Sequence, residues 1–188
     1  VDGSVIAALG QDPENGEGPG WIYRIDASKR GDVSPELPDA ANRKKGVKNP
    51  NSAAMWGRGG AVQKDGEKKL LFRRSLSAVA VHDGLVYAAD LSGYLHCLDF
   101  KSGEEYWEAD LMSAVWGAPT VADGKVFLGD EDGELEIFAA GKQAEADKTR
   151  MPIKKVSFGN AIYGGPVFAN GRLYVATRNM LYAFKIQD

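Results

Sequence analysis

The densest run of side chains with chemical potential is the acidic turn Asp130-Glu131-Asp132-Gly133, with Glu134 just behind it. Calcium takes several oxygen ligands, and this run offers a partial set, with Asp130 and Asp132 as its weak metal candidates. A second oxygen-rich stretch holds Asp12, Glu14, Asn15 and Glu17. Neither has the spacing of a defined calcium loop, and a polar turn accounts for each. His82 and His96 have no carboxylate pattern linking them, which argues against metal binding through the pair. Cys97 is the sole cysteine, so an intrachain disulfide and a cysteine-cluster metal site are excluded. In its apolar setting it reads as a small buried hydrophobe. Arg73 and Arg74 could grip an anionic group, or lie in a solvated loop. No serine-histidine-acid arrangement, zinc motif or phosphate loop is legible, so no catalytic residue is assigned.

Elements must position these groups, and the bulk numbers bound what the elements can be. With 188 residues, 44% hydrophobic and 26% charged, the chain is long enough for one domain with a sizeable core. A net charge of -3 gives no electrostatic case for nucleic acid. The short basic run at 43–48 reads as a solvated loop. No apolar stretch is long enough for a transmembrane segment. The chain opens on Val1 inside a repeat phrase and without a signal peptide, and reads as a processed or excerpted chain.

The repeat is the main organising signal. An apolar residue, any residue, Asp or Asn, Gly, one variable residue and an apolar pair recur. The phrase appears as Val81-His82-Asp83-Gly84-Leu85-Val86-Tyr87 and as Val121-Ala122-Asp123-Gly124-Lys125-Val126-Phe127. It returns as Phe168-Ala169-Asn170-Gly171-Arg172-Leu173-Tyr174, and the chain begins within a copy at Val1-Asp2-Gly3. Asx-Gly between two β-rich runs is a strong hairpin signal, since both residues tolerate positive φ. A second turn, a third strand and, after Asp99, a fourth strand follow. The unit is therefore a four-stranded antiparallel meander, with turn glycines 84, 124 and 171 spaced 40 and 47 residues apart. Gly3 to Gly84 is 81 residues, read as one blade plus an insertion at 28–52 that lacks strand alternation and looks like a long loop. Residues 53–56 then supply that blade's fourth strand, and 63–69 form another polar stretch.

Residues 80–107 closely resemble the repeat of pyrroloquinoline-quinone (PQQ)-type propellers. The hallmark is Asp99…Ser102-Gly103…Trp107, a form of the D-x-x-T-G-x-x-x-W docking motif. In that family the Trp packs between blades, the Gly permits the turn and the Asp caps it. Residues 26–31 of the first blade carry an extra residue before the Gly and no Trp at the right place. Ala139-Ala140-Gly141-Lys142 has neither Asp nor Trp. The resemblance implies an all-β propeller with four blades, at about 1–62, 73–111, 112–159 and 160–188. The terminal blades are incomplete, and the set makes half of an eight-bladed ring, the C-terminal half. Partners follow from that: a missing N-terminal half of the same propeller, a homodimer, or another protein.

Alternate connections of a meander fall on opposite faces. The Asx-Gly turns and the 28–52 insertion share one. The lead-in segments and second turns share the other, where the family places its ligand. Leu76, Trp116 and Tyr163 hold equivalent lead-in positions, followed by Ser77, Gly117 and Gly164. Trp116 and Tyr163 could form a stacking platform, or close the core by packing. The family includes quinoprotein alcohol dehydrogenases and non-enzymatic propellers such as the lipoprotein of the outer-membrane assembly machinery. With one cysteine and half a ring, the expectation is a non-catalytic scaffold for protein–protein interaction, extracytoplasmic or periplasmic, with no cofactor. The alternative is the C-terminal part of a PQQ- and calcium-dependent dehydrogenase.

Overall fold

Asx-Gly pairs turn the chain at the start of every blade. Asp2-Gly3, Asp83-Gly84, Asp123-Gly124 and Asn170-Gly171 all have both residues at positive φ, between 47° and 74°. Such paired left-handed residues match the twist of the strands they join. The computed structural model describes residues 1–10, 18–42 and 45–185. The acidic stretch around Asp12 to Glu17 and part of the basic run at 43–48 lie outside the described residues.

Blade 1 is built from β1 (Ser4–Leu9), β2 (Trp21–Asp26) and the later β5 (Ala54–Gly59), paired in the order β1-β2-β5. Between β2 and β5 runs an arm that holds β3 (Glu36–Pro38) and β4 (Gly46–Lys48), a small antiparallel hairpin. The expected strandless loop is therefore corrected. Asn49 braces the arm from within, its Nδ2 donating to the Asp32 and Ser34 carbonyls at 3.0 and 2.9 Å. Asn51 Nδ2 donates to the Arg30 carbonyl at 2.9 Å. After blade 1, β6 (Ala61–Lys64) and β7 (Glu67–Leu70) form a hairpin spur turned by Asp65-Gly66, where a polar stretch was expected.

Blade 2 comprises β8 (Ala80–His82), β9 (Leu85–Ala89), β10 (Tyr94–Asp99) and β11 (Glu105–Asp110). Blade 3 comprises β12 (Thr120–Ala122), β13 (Lys125–Gly129), β14 (Glu134–Ala139) and β15 (Lys154–Ser157). Blade 4 holds β16 (Val167–Ala169), β17 (Arg172–Ala176) and β18 (Leu181–Lys185). Blades 2 and 3 are four-stranded antiparallel meanders, while blades 1 and 4 show three strands each among the described residues.

Strand alternation sends successive side chains to opposite neighbours. Hence β9 and β10 feed two cores at once. Val86, Ala88 and Leu98 pack with Ile22 and Phe72 between blades 1 and 2. Tyr87, Leu95, Cys97 and Trp107 pack with Val126, Leu128 and Phe138 between blades 2 and 3. Phe127, Leu135, Ile162 and Val175 close the junction of blades 3 and 4. This stacking of sheets face to face is why central strands read as nearly continuous apolar runs.

Candidate functional site

Three constellations sit on this frame. The first fastens blades together. Asp99 caps its own turn, with Oδ1 accepting from the Lys101 and Ser102 N–H groups at 2.9 and 2.7 Å and Oδ2 from the Tyr106 hydroxyl at 3.0 Å. These donors hold the carboxyl below its usual range, the Ser102 N–H foremost. Trp107 is fully buried, stacks on Phe138 of blade 3 at 6.2 Å, and donates Nε1 to the Gly141 carbonyl at 2.8 Å. Gly103 has φ +73°, and a Cβ there would come within 2.7 Å of the Trp56 ring.

That contact exposes a residue the sequence reading missed. In β2–β5 the register slips after Arg24↔Trp56, as in β10–β11 it slips after Cys97↔Trp107. Trp56 thus holds in blade 1 the place Trp107 holds in blade 2. Its Nε1 donates to the Phe100 carbonyl of the next blade at 2.9 Å. Arg24 backs this up, with its guanidinium 4.0 Å from the Phe100 ring centroid. Asp26 accepts from the Ser28 N–H and hydroxyl at 2.9 and 2.7 Å, much as Asp99 does from Ser102. The arm simply splits the motif, so a fixed-spacing search from Asp26 finds no Trp.

The second constellation is a buried charge network between blades 1 and 2. His96 and Asp90 are fully buried. The ring's Nε2 lies 3.2 Å from Asp90 Oδ2, and its Nδ1 lies 2.9 Å from Glu105 Oε2. Glu105 Oε1 meets Arg58 of β5 at 2.8 Å. Asp90 Oδ1 accepts from the Ser92 and Tyr94 N–H groups, capping the β9–β10 turn. Burial opposes the charged ring, yet hydrogen bonds and charge from Asp90 and Glu105 outweigh it, and His96 titrates above its ordinary range. Burial likewise opposes ionised Glu105, but His96 and Arg58 win and hold it low. His96, Glu105 and Glu108 group their ligand atoms within 4.8 Å. Each carboxylate, however, already has its own cation, Arg58 on Glu105 and Lys69 on Glu108 at 3.1 Å, which a metal ion would have to displace. Spacing could not reveal this network, because its members come from four separate segments. His82 is exposed and pairs with Asp83 at 3.3 Å, apart from His96.

Arg73 joins the same network. Its guanidinium lies 3.6 Å from Asp90 and 3.7 Å from the Tyr94 ring centroid. Arg74 is buried, and its carbonyl accepts from the Leu91 N–H at 2.8 Å. The two arginines therefore lie within the junction of blades 1 and 2.

The third constellation lies on the lead-in face of blades 3 and 4. Trp116 and Tyr163 meet edge to face, with centroids 6.2 Å apart and planes at 82°. Glu131 bridges them, accepting from Trp116 Nε1 at 3.1 Å and from the Tyr163 hydroxyl at 3.5 Å. Gly117 and Gly164 bring their backbones so close that a Cβ on Gly117 would sit 2.7 Å from the Gly164 carbonyl carbon. Tyr163 and the equivalent Leu76 are exposed, and Trp116 is half-buried. Asp130 is buried and accepts from the Glu134 N–H at 2.9 Å, while Asp132 is exposed. Burial pushes the Asp130 and Glu136 carboxyls up. Asp130 repeats the place of Asp90, and the pair Glu136–Lys155 repeats the cross-strand place of His96–Glu108. Cys97 is buried with its thiol pushed up to about 12 by desolvation.

Comparison with known proteins agrees with this geometry. The family model described as "Outer membrane protein assembly factor BamB" matches residues 45–148, more than half of the chain. Among solved structures, BamB from Moraxella catarrhalis superposes with a TM-score of 0.54 at 18% identity, over 88% of this chain and 40% of that one. The quinohemoprotein alcohol dehydrogenase ADHIIG from Pseudomonas putida HK5 gives 0.56 at 17%, over 94% of this chain and 27% of that one. Two curated relatives match shorter segments. The 1-butanol dehydrogenase (cytochrome c) of Thauera butanivorans is 34% identical over 65 residues, 31% of this chain and 9% of its own length. Quinohemoprotein alcohol dehydrogenase ADH-IIG of Pseudomonas putida is 33% identical over 78 residues, 37% of this chain and 11% of its own length. The chain thus spans well under half the length of each of these proteins. Antiparallel blades, an Asp-Gly-Trp fastening between them and a matching family model place the chain in the PQQ-like β-propeller family, on the BamB-type model.

Proposed function

We propose that this chain is a non-catalytic propeller scaffold whose lead-in face docks a protein partner outside the cytoplasm. The carrying observation is that Leu76, Trp116 and Tyr163, at one recurring repeat position, leave apolar surface open on a single face. Aromatic side chains of this kind supply contact area with a polar tip, as protein interfaces favour. The match to the BamB-type model supports the same reading. Blades 1 and 4 turn further apolar residues outward, Val5, Leu9 and Trp21 at one end and Val167 and Leu181 at the other. These ends suit neighbouring blades of a larger ring, supplied by more of the same protein in preference to a second copy. Among the described residues, no helix is long and apolar enough to cross a membrane.

A second reading, part of a PQQ- and calcium-dependent dehydrogenase, draws on the curated alcohol dehydrogenase relatives. The residues here fit that cofactor poorly. Trp116 and Tyr163 meet edge to face and present no shared flat surface. Arg73 is engaged by Asp90 and Tyr94, and Asp130 is buried capping its own turn. Titrating the protein with PQQ, with and without calcium, separates the readings. The scaffold predicts no submicromolar binding. Tight binding with alcohol-dependent dye reduction would install the second reading.

A further inference from the structure

Both ring nitrogens of His96 face carboxylate oxygens, at 2.9 and 3.2 Å. An ionised carboxylate only accepts, so satisfying both contacts requires two N–H groups on the ring. A neutral imidazole has one. Its bare nitrogen would set a lone pair against a carboxylate in a junction where the ring has no exposed surface. The charged groups around the ring come from every packed element. Asp90 lies in the β9–β10 turn, Glu105 and Glu108 on β11, Arg58 on β5, Lys69 on β7 and Arg73 ahead of β8. Phe72 packs on the ring at 5.1 Å and Tyr94 lies at 6.4 Å. Only Arg58 belongs to blade 1, and it reaches His96 through Glu105.

We propose that His96 is held as an imidazolium latch that, through Glu105 and Arg58, fastens blade 1 and its 28–52 arm to blade 2, and that deprotonation releases blade 1 ahead of the rest. Loss of the proton turns one of the two carboxylate contacts repulsive. If Glu105 yields, Arg58 loses its anchor. Blade 1 then keeps Trp56, Arg24, the hydrogen bond from the Gly20 N–H to the Phe72 carbonyl and the apolar contacts of the junction, while the Trp107 junction between blades 2 and 3 is untouched.

Histidine-selective nitrogen NMR on the H82N variant isolates the His96 ring. The latch predicts that both nitrogens carry protons at pH 6.5 and that the ring titrates above that pH. Hydrogen exchange supplies the local readout. Protection of β1, β2 and β5, corrected for intrinsic rate, should fall as pH rises from 6.5 to 9. The fall should reach about tenfold for each unit by which the folded pKa exceeds the unfolded one. Blade 3 holds neither histidine of the chain, so the change in blade 1 is read against it. In H96Q, blade 1 should be poorly protected already at pH 6.5 and flat across the window. Where H96Q does not fold, the pH series on H82N decides alone. A neutral ring at pH 6.5, or blade 1 protection that tracks blade 3 across the window, overturns the proposal.

Discussion

At the scale of single residues, two tryptophans and one histidine carry most of the consequence. Trp107 is wholly enclosed, so Trp107→Ala should cost about 3–5 kcal/mol in denaturant unfolding. Trp56 is half-buried and donates one hydrogen bond, so Trp56→Ala should cost less, about 1–3 kcal/mol. A Trp56→Ala cost equal to that of an exposed surface residue would contradict its equivalence with Trp107. The charge network sets a pH window. His96 is raised, so its contribution is full below about 6.5 and is lost as pH rises through the folded value. Glu105 is lowered, so its contribution is present above about 4.3 and is lost as pH falls through its folded value. Melting temperature should therefore peak between those limits, and a maximum near pH 8 would count against the network. The sequence showed Trp107 because its motif is unbroken. It hid Trp56 behind the arm, and it hid the acids around His96 because they meet only in the folded junction.

At the scale of elements, what was legible follows burial. Strands of blades 2 and 3 bury side chains on both faces, and their apolar runs and Asx-Gly turns were read directly. The β6–β7 spur is exposed or nearly so along both strands, so selection for a buried face left no alternation to read. The arm hairpin is three residues per strand and mostly exposed, and it depends on Asn49 and Asn51 in place of a core. Asn49→Ala should therefore loosen the arm alone. Limited proteolysis should cut within 28–52 several-fold faster in the variant, while the blade fragments survive. Unchanged cleavage would mean the arm is held by something other than these amide bonds. Blade 3 has its own return segment, where the Arg150 N–H donates to the Glu108 carbonyl at 3.0 Å and lies against blade 2. That tie, too, had no sequence signature.

For the whole molecule, the stacking of sheets through three cores gives interior side chains a fastening role, while the docking proposed above falls to the lead-in face. Cys97 illustrates the first part. Its thiol is buried and its pKa is pushed up to about 12, so native protein should react with thiol reagents only on unfolding. The lead-in face is where the proposed docking would occur. Its alignment was readable from the repeat, since Leu76, Trp116 and Tyr163 precede the Asx-Gly phrase by a fixed interval. The edge-to-face angle and the Glu131 bridge were not, because they depend on two blades meeting. The most direct measurement places a photocrosslinking amino acid in the cell-expressed protein at Leu76, Trp116 and Tyr163, and at Asp83, Asp123 and Asn170 on the opposite face. A docking lead-in face gives one defined protein adduct from the first three positions and none from the others. Adducts that are absent, or equal from both faces, would contradict it.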